Sequence, residues 1–265
     1  ASGLKVGLVP TMGNLHRGHV RLAERALESC DRVIVSVFVN PTQFGEHEDF
    51  DAYPRTVEDD QKALEAVCGN DAVFAPSVAE MYPGGEGITT TVTVPEVSDG
   101  MCGDSRPGHF EGVATVVSRL FNIVMPDIAV FGQKDYQQVL VIKRMTRDLC
   151  FPIEIISEPT VREDSGLAMS SRNRYLTEEE RTKAPLLRKL ILDVGDKLKS
   201  GERDYGRLQQ LASTDLLENG WVPDYFEIRR AEDLAYPHGD ETKLVILAAA
   251  YMGSARLLDN FVVAI

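Results

Sequence analysis

Two histidines three positions apart follow the first apolar run of the sequence. The run reads LKVGLV, and the segment Pro10–His19 that comes after it reads PTMGNLHRGH. Gly13 and Gly18 allow close approach of a phosphate to the backbone, and a helix start supplies free N–H groups. His16 and His19 can point to one side of the first helical turn and donate hydrogen bonds to phosphate oxygens. The segment therefore predicts a nucleotide-phosphate site; the structural alternative is two histidines that only pack near a helix start.

Polar residues also follow two later apolar runs, RVIVSVFV and DIAVF. The first run is followed by Asn40 and, three positions on, by Gln43; the second is followed by GQKD, which contains Lys134 and Asp135. A glutamine amide both donates and accepts hydrogen bonds, which suits a substrate with a hydroxyl and a carboxylate. A lysine is a compact cation that can reach phosphate oxygens. These positions predict a substrate pocket and a second phosphate contact, although Asn-Pro also signals an ordinary turn.

A serine–arginine segment occurs later, at Met169-Ser170-Ser171-Arg172. Two hydroxyl groups and a guanidinium are suited to the β- and γ-phosphates of a nucleotide. The structural alternative is a serine-rich linker before a helix that is capped by Thr177.

Three acidic residues, Glu58, Asp59 and Asp60, stand at the start of a predicted helix. Magnesium that is bound to a nucleotide often takes one or two carboxylates from the protein. Asp59 and Asp60 are therefore candidate metal contacts, but acidic residues also favour a helix start for electrostatic reasons.

The order of predicted elements indicates how these residues are positioned. Alternating strands and helices predict an α/β fold with a Rossmann-like parallel sheet, which binds ligands beyond the carboxyl ends of its strands. The pattern changes near residue 160, so we predict a domain 1–160 and a smaller α+β domain 161–265. The predicted strands are 4–9, 32–39, 71–74, 127–131, 153–156, 225–228, 244–251 and 260–265, with a small hairpin or an added edge strand at 89–94; the predicted helices are 19–30, 56–67, 112–124, 136–149, 177–199 and 204–219.

Composition excludes several classes of partner. The 265 residues include 28 basic and 41 acidic side chains, for a formal net charge of −13 at pH 7, which argues against binding to nucleic acid or to an anionic membrane. No apolar run approaches the ~18 residues of a membrane span. The four scattered cysteines and the absence of a signal-peptide pattern lead us to expect a cytoplasmic protein with reduced thiols.

Taken together, the strings identify a family. HxGH after a first strand, here His16-Arg17-Gly18-His19, is the signature of a nucleotidyltransferase superfamily, and VPTMGNLHRGH resembles the pantothenate synthetase family in particular. Further strings match in the same order: FVNPTQF, YPRT, SRPGHFEGV, FGQKDYQQ and GLAMSSRNRYL. The resemblance extends over nearly the whole chain. The resemblance also implies a helix before the first strand. The given sequence starts at that strand, so we expect a shortened start.

The resemblance implies an ATP-dependent ligase that joins pantoate to β-alanine through a pantoyl adenylate and releases AMP and pyrophosphate. It further implies Mg²⁺ with the ATP, a homodimer, and closure of the second domain as a lid. The implied catalytic residues are His16, His19 and Lys134. The implied ATP-binding residues are Pro10, Thr11, Met12, Gly13, His16, Gly18, His19, Gly132, Gln133, Lys134, Asp135, Val161, Met169, Ser170, Ser171 and Arg172. Pantoate is assigned to Met12, Asn40, Gln43 and Gln138, β-alanine to Gln43, and the metal to Asp59 and Asp60.

Two other functions compete with this hypothesis. A phosphopantetheine or nicotinamide-mononucleotide adenylyltransferase shares HxGH, but it does not predict the NPTQF, GQKD and SSRN strings together. A catalytically silent nucleotide-binding protein does not account for polar residues after three strands. Arg106 and His109, in the string SRPGHFEGV, fit loop packing as well as ligand contact.

Overall fold

The computed structural model of the protein describes residues 3–45, 48–68, 71–85 and 90–265. The chain forms two compact units, one of residues 1–133 and 137–159, the other of residues 134–136 and 160–265. Among the described side chains, Cys30, Cys102 and Cys150 form no disulfide. No helix in the described ranges is long and apolar enough to cross a membrane.

The first unit is built on a five-stranded parallel sheet, which confirms the predicted Rossmann-like fold. Its order is β3-β2-β1-β4-β5, so the direction of strand progression reverses between β1 and β4. Leu8 and Val9 of β1 and Val130 of β4 are fully buried, as expected in a sheet that helices cover on both faces. The carboxyl ends of β1 and β4 therefore border the crevice in which such sheets bind ligands. The strands are β1 (Val6–Thr11), β2 (Arg32–Val37), β3 (Ala72–Phe74), β4 (Ile128–Gly132) and β5 (Glu154–Glu158).

Six helices of this unit are described, and capping residues determine where the longer ones begin. The amphipathic α1 starts two residues before the predicted position because His16 caps it. α5 starts three residues early because Gly108, at φ +80°, turns the chain directly into it. The helices are α1 (Arg17–Leu27), α2 (Val57–Cys68), α3 (Val78–Met81), α4 (Cys102–Ser105), α5 (His109–Val124) and α6 (Tyr136–Asp148).

The predicted hairpin at 89–94 is wrong for the residues that are described; Thr89 itself lies outside them. Residues 90–94 form no strand. The Val92 amide donates instead to the Thr115 hydroxyl (2.9 Å), and the Thr93 hydroxyl donates to the Glu111 carboxylate (2.6 Å). The β-branched run thus satisfies its polar groups against side chains of α5 rather than against a partner strand.

The second unit contains an antiparallel sheet of order β6-β7-β8 with helices packed on it, which confirms the predicted α+β class. Its core includes Trp221, Ile228 and Ile246, all at most 1 % exposed. The strands are longer than predicted because antiparallel pairing with β7 continues beyond the apolar centres of β6 and β8. The elements are α7 (Glu178–Lys183), α8 (Leu186–Lys199), α9 (Tyr205–Glu218), β6 (Val222–Arg230), β7 (Lys243–Met252) and β8 (Ala255–Ala264).

The single helix predicted over 177–199 is wrong, because the structure has two helices there. α7 ends at Lys183 and α8 begins at Leu186, with Pro185 between them. Proline lacks the N–H that an inner helical turn requires, and its ring clashes with the carbonyl four residues earlier. Proline is tolerated at a helix start, which is the position it takes before α8.

Leu8→Ala should lower the free energy of unfolding by about 2–5 kcal/mol, because it leaves a cavity in the central strand of the first sheet. Leu4→Ala is the control, since Leu4 is 46 % exposed and should change the free energy by less than about 0.5 kcal/mol. Urea unfolding of both variants measures the difference. Equal losses would contradict the central position of β1 in the core.

Candidate active site

The predicted site residues lie at the ends of strands and at the starts of helices. Those of the second unit are described separately below. In the first unit, β1 ends with Pro10 and Thr11, and the loop after it contains Met12 and Gly13. The start of α1 is formed by His16, Gly18 and His19, and a 3₁₀ turn after β2 is the place of Asn40 and Gln43. β4 ends with Gly132, which Gln133 follows, and α6 contains Gln138.

One buried carboxylate holds the loop after β1 in shape. Asp60 of α2 is only 2 % exposed. Its Oδ1 accepts a hydrogen bond from the Leu15 amide (2.7 Å), and its Oδ2 accepts one from the Asn14 amide (3.0 Å). The Thr56 hydroxyl donates a third to Oδ2 (3.2 Å). A buried carboxylate requires such donors, so Asp60 and the loop fix each other.

Gly13 is required at the turn of this loop. Its φ of +79° lies in the left-handed region, and a Cβ there would sit 2.9 Å from Asp60 Oδ2 and 2.9 Å from Val37 Cγ1. The Thr11 hydroxyl stabilises the same turn, because it accepts from the Gly13 amide (3.2 Å) and donates to the Ser36 carbonyl (2.7 Å). Any larger residue at position 13 would therefore displace the loop.

His16 and His19 form the cap of α1. The His16 Nδ1 accepts from the Gly18 amide (3.1 Å), and the His19 Nδ1 accepts from the His16 amide (3.3 Å). The two ring centroids are 4.1 Å apart. Because Nδ1 is the acceptor in both rings, each neutral imidazole carries its proton on Nε2. The cap thus fixes the tautomer and makes both Nε2–H groups donors at a helix N-terminus, where an anion is favoured.

Gln43 and Met12, which the sequence assigns to the same substrate, are in contact. The Gln43 Nε2 lies 3.0 Å from the Met12 sulfur. A thioether is a weak acceptor, so a carboxylate or hydroxyl oxygen would be a better partner for this amide. Gln43 is 9 % exposed, which limits the competition from water. This pair is the best candidate for recognition of a small polar acid in the first unit.

Asn40 orients the side chain of Gln43 through a hydrogen bond. Its Nδ2 donates to the Gln43 Oε1 (3.1 Å) and to the Gly112 carbonyl (3.2 Å). Its Oδ1 accepts from the hydroxyls of Tyr82 (2.7 Å) and Thr42 (3.0 Å). The side chain has two donors and two acceptor sites, so a direct contact with pantoate would replace one of these bonds. The structure thus gives Asn40 an orienting role that the sequence did not predict.

Arg106, His109 and Glu48 hold the backbone of Gln43. Arg106 binds the Glu48 carboxylate through Nε (2.5 Å) and Nη2 (2.6 Å), and its Nη1 contacts the His109 Nε2 (2.9 Å). An arginine only donates, so this Nε2 accepts and the His109 Nδ1–H donates to the Gln43 carbonyl at 2.9 Å. Burial raises the pKa of Glu48, but the bonds and charge of Arg106 outweigh it and hold this pKa below its ordinary value.

Gly132, at the end of β4, is not required by the packing of the protein. The nearest atom to a Cβ at this position would be Leu22 Cδ2 at 4.0 Å, an ordinary contact. A glycine without a steric reason at a strand's carboxyl end is consistent with close approach of a ligand.

Gln138 of α6 is half-buried, and no side-chain hydrogen bond links it to the described residues. Its neighbour Gln137 is 4 % exposed instead, and its Nε2 donates to the carbonyls of Val97, Asp99 and Gly100. The two adjacent glutamines therefore have different roles. Gln137 holds a loop, and Gln138 remains available for a substrate.

The predicted phosphate residues of the second unit lie in three segments. The Lys134 Nζ is 3.3 Å from both carboxylate oxygens of Asp135. The Met169 amide donates to the Val161 carbonyl (3.0 Å), which closes a short hairpin. The Ser170 hydroxyl caps a 3₁₀ turn by accepting from the Arg172 amide (3.2 Å); the turn, Ser171–Tyr175, contains the last two predicted residues.

The two acidic residues that the sequence assigns to a metal differ in environment. Asp59 is exposed, and its carboxylate lies 3.4 Å from the Lys62 ammonium group. Both Asp60 oxygens accept hydrogen bonds from the protein, as described above. In the described ranges, no three His, Cys, Asp or Glu side chains are grouped so that they could hold a metal ion. A nucleotide-bound Mg²⁺ needs only one or two carboxylates, so the assignment of Asp59 and Asp60 to a metal stays a prediction.

Comparison with protein families decides the relationship. The family model described as pantoate–β-alanine ligase matches residues 1–262. The chain belongs to the pantoate–β-alanine ligase family. It is 55 % identical over 258 residues to a pantothenate synthetase of Marinobacter nauticus, covering 97 % of this chain and 91 % of that protein. It is 55 % identical over 260 residues to the pantothenate synthetase of a Shewanella species, covering 98 % and 92 %.

Solved structures of the family share the fold. The pantothenate synthetase of Thermus thermophilus matches with a TM-score of 0.90 at 46 % identity, covering 97 % of this chain and 92 % of that one. A pantoate–β-alanine ligase of Francisella tularensis, described as a complex with β-γ ATP and β-alanine, matches with a TM-score of 0.77 at 34 % identity. This second match covers 98 % of this chain and 90 % of that one.

Several residues that shape the site were missed by the sequence analysis. Asp60 was assigned to a metal, and no role was predicted for Glu48 or Gln137. For Arg106 and His109, packing and ligand contact stayed equally open. The string YPRT, four residues before Asp60, was a usable signal, because Thr56 binds that carboxylate. The partners of Gln137 are carbonyl groups some 40 residues away in sequence, which no local pattern indicates.

Asp60→Ala should make the Asn14 and Leu15 amides exchange with deuterium about 10- to 100-fold faster, because each loses a charged hydrogen-bond acceptor. The matched control is Asp59→Ala, which removes an exposed carboxylate from the same helix and should leave both amides unchanged. Native-state hydrogen exchange followed by mass spectrometry measures residues 12–16. Similar exchange in the two variants would show that Asp60 does not shape the loop.

Proposed function

We propose that this chain condenses pantoate with β-alanine at the expense of ATP. Membership of the pantoate–β-alanine ligase family supports the reaction class. ATP and β-alanine as substrates are supported by the Francisella tularensis relative, which is described as bound to an ATP analogue and β-alanine. The proposal rests on one observation: the loop after β1 leads to the groups proposed for the phosphate and also to a group proposed for pantoate. The loop ends in the histidine cap, and it contains Met12, which contacts Gln43.

In the first step, a pantoate carboxylate oxygen attacks the α-phosphorus of ATP. A new P–O bond forms, the bond from this phosphorus to the bridging oxygen breaks, and pyrophosphate leaves. Gln43 and Met12 bind pantoate, and Asn40 orients the Gln43 amide. The Nε2–H groups of His16 and His19 donate to the α-phosphate oxygens, whose charge increases in the transition state. Because the cap fixes both rings, this stabilisation needs no rearrangement during the reaction.

In the second step, the amine of β-alanine attacks the acyl carbon of the adenylate. The carbon–nitrogen bond forms, the bond from this carbon to the phosphate oxygen breaks, and AMP leaves while the amine loses a proton. Gln43 binds β-alanine in this step. No covalent bond to the protein is needed, so the enzyme acts through position and charge.

The remaining predicted residues are assigned to the nucleotide. Gly132 allows close approach, Gln133 and Asp135 help to hold the nucleotide, and Lys134 binds phosphate oxygens, which would replace Asp135 as its partner. Val161, Met169, Ser170, Ser171 and Arg172 contribute from the second unit. Mg²⁺ would arrive with ATP and be held mainly by the phosphates and water, since such ions need few protein ligands. Residues 1–160 form the nucleotide and pantoate domain in this proposal, and residues 161–265 the smaller lid domain.

The cellular setting and the assembly are also proposals. We assign the enzyme to the cytoplasm as a homodimer without a nucleic-acid or membrane partner. Large apolar side chains are exposed where α5 and α6 end, at Ile123, Met125 and Leu149. Both helices lead into parallel strands, so these ends lie at the amino edge of the sheet, away from the predicted ligand crevice. A second copy could cover them without blocking the substrates.

The test is pantoate-dependent exchange of labelled pyrophosphate into ATP in the absence of β-alanine. A ligase that forms pantoyl adenylate exchanges label only when pantoate is present. Exchange that requires phosphopantetheine or nicotinamide mononucleotide instead would identify an adenylyltransferase, which is the alternative function. No exchange with any of these substrates would refute both.

His19→Asn should reduce this exchange by more than about 100-fold, because it removes the Nε2–H donor but keeps an acceptor near the place of Nδ1. His19→Ala is its partner variant. It should be equally inactive and also lose about 1 kcal/mol of stability with the cap. Exchange rates and thermal unfolding of both variants separate the two effects. Normal exchange in His19→Asn would remove His19 from the reaction.

Gly132→Ala should leave stability unchanged within about 0.5 kcal/mol and weaken ATP binding at least about 10-fold, because the new methyl group fits the protein but occupies ligand space. Gly206→Ala is the matched control, since a Cβ there meets no atom within 4 Å and Gly206 lies outside the proposed site. Calorimetric titration with ATP measures both. Unchanged ATP affinity in Gly132→Ala would show that the ligand does not approach this strand end.

A further inference from the structure

Two adjacent residues of β8, Asp259 and Asn260, are polar and buried. Asp259 is 4 % exposed and Asn260 8 % exposed. Successive residues of a strand point to opposite faces, so this dipeptide reaches two different parts of the second unit. Neither residue belongs to the strings that identify the family, and the reaction described above uses neither.

Asn260 holds the backbone of Lys134. Its Nδ2 donates to the Lys134 carbonyl at 2.8 Å. The Asn260 carbonyl itself accepts from Arg188 Nη1 (3.0 Å), which fixes the strand at this point. The Tyr136 hydroxyl donates to the Ala231 carbonyl (2.7 Å), so the segment 134–136 is held at a second point two residues on. Burial raises the pKa of Tyr136, which keeps this donor protonated.

Asp259 holds the hairpin that leads to the serine–arginine segment. Its two oxygens accept from Arg162 Nη1 (2.6 Å) and Nη2 (2.9 Å) in a bidentate pair. Arg162 Nη1 also donates to the Gly166 carbonyl (3.1 Å), and Arg162 forms an isolated antiparallel bridge with Ala168. Ser170 comes two residues after that bridge. The position of Ser170–Arg172 is therefore set by an ion pair with β8.

We propose that Asp259 and Asn260 are positioning residues that hold two phosphate-binding segments, Lys134 and Ser170–Arg172, in fixed register within the second unit. The inference rests on the proposed function, because it gives these two segments a common ligand. Asn260 acts through the Lys134 backbone, which limits the places its ammonium group can reach. Asp259 acts through Arg162 and the hairpin. Because the two are neighbours in one strand, a displacement of either segment is transmitted to the other through a rigid element.

A purely structural role makes a different prediction. If the two residues only stabilised the sheet, their loss would lower the unfolding temperature and affect all substrates alike. A positioning role instead affects ATP and leaves pantoate binding unchanged, because Gln43 and Met12 belong to the first unit.

Asn260→Ala is the primary test, with Asn219→Ala as its matched control. Asn219 is exposed, and its Nδ2 also donates to a backbone carbonyl at 2.8 Å, that of Asp215. Asn260→Ala should raise the KM for ATP and lower pyrophosphate exchange by about 10- to 100-fold, while the KM for pantoate stays within about twofold. Asn219→Ala should match the wild type. Asn260→Leu, which fills the space and excludes a replacement water, covers the case in which Asn260→Ala fails to fold.

A double-mutant cycle with Lys134→Ala identifies the pathway. If Asn260 acts through Lys134, adding Asn260→Ala to Lys134→Ala should change the ATP dissociation constant by less than about twofold. Independent losses that multiply would show that Asn260 acts elsewhere and would overturn the inference. So would unchanged ATP parameters in both Asn260 variants.

The proposed function and this inference can be refuted independently of each other. Wild-type enzyme without pantoate-dependent exchange would refute the proposed function. Calorimetric ATP binding by the wild type, the two Asn260 variants and the double variant still tests the inference in that case. Exchange in the wild type with unaltered ATP binding in the variants would refute the inference alone.

Discussion

The buried carboxylate of Asp60 constrains the loop on which the first unit's chemistry depends. It binds the amides of Asn14 and Leu15, and a Cβ on Gly13 would collide with it. The loop consequently has one path from the end of β1 to the start of α1. That path places Met12 against Gln43 and delivers the chain to His16, which caps the helix. One buried carboxylate thus positions both the histidine cap and Met12, the groups that we propose bind the α-phosphate and pantoate.

Other buried polar side chains also fix a neighbouring residue through a hydrogen bond to its side chain or backbone. Asn40 orients the Gln43 amide, while His109 fixes the Gln43 carbonyl. Asn260 fixes the Lys134 carbonyl in the same way, by donating a hydrogen bond to it. Each contact restricts Gln43 or Lys134 before a ligand binds, so that less conformational freedom is lost on binding. Fixing them in advance lowers the entropic cost of placing the reacting groups.

The sequence predicted most of the fold, because the fold follows from local patterns; the phosphate-binding role of the loop after β1 stays a prediction. Apolar runs such as LKVGLV and DIAVF predict the parallel strands, and the β1–β4 reversal places their carboxyl ends together. Prediction failed where one residue or a tertiary contact overrides the pattern. Pro185 divides a helix whose apolar period continues through it. Residues 90–94 have β propensity but bind side chains of α5 instead of a strand.

The site residues that sequence could not predict share one physical feature. Asp60, Gln137 and Asn260 bind main-chain groups that are 45 or 46, 35–40 and 126 positions away. A motif is visible when the ligand imposes several residues within one short stretch, as in PTMGNLHRGH. A residue that positions such a stretch is selected by the tertiary structure alone, and it needs only one donor or acceptor at the right place. Sequence motifs therefore indicate which groups to propose for substrate contact, and the structure is needed to find the residues that hold those groups.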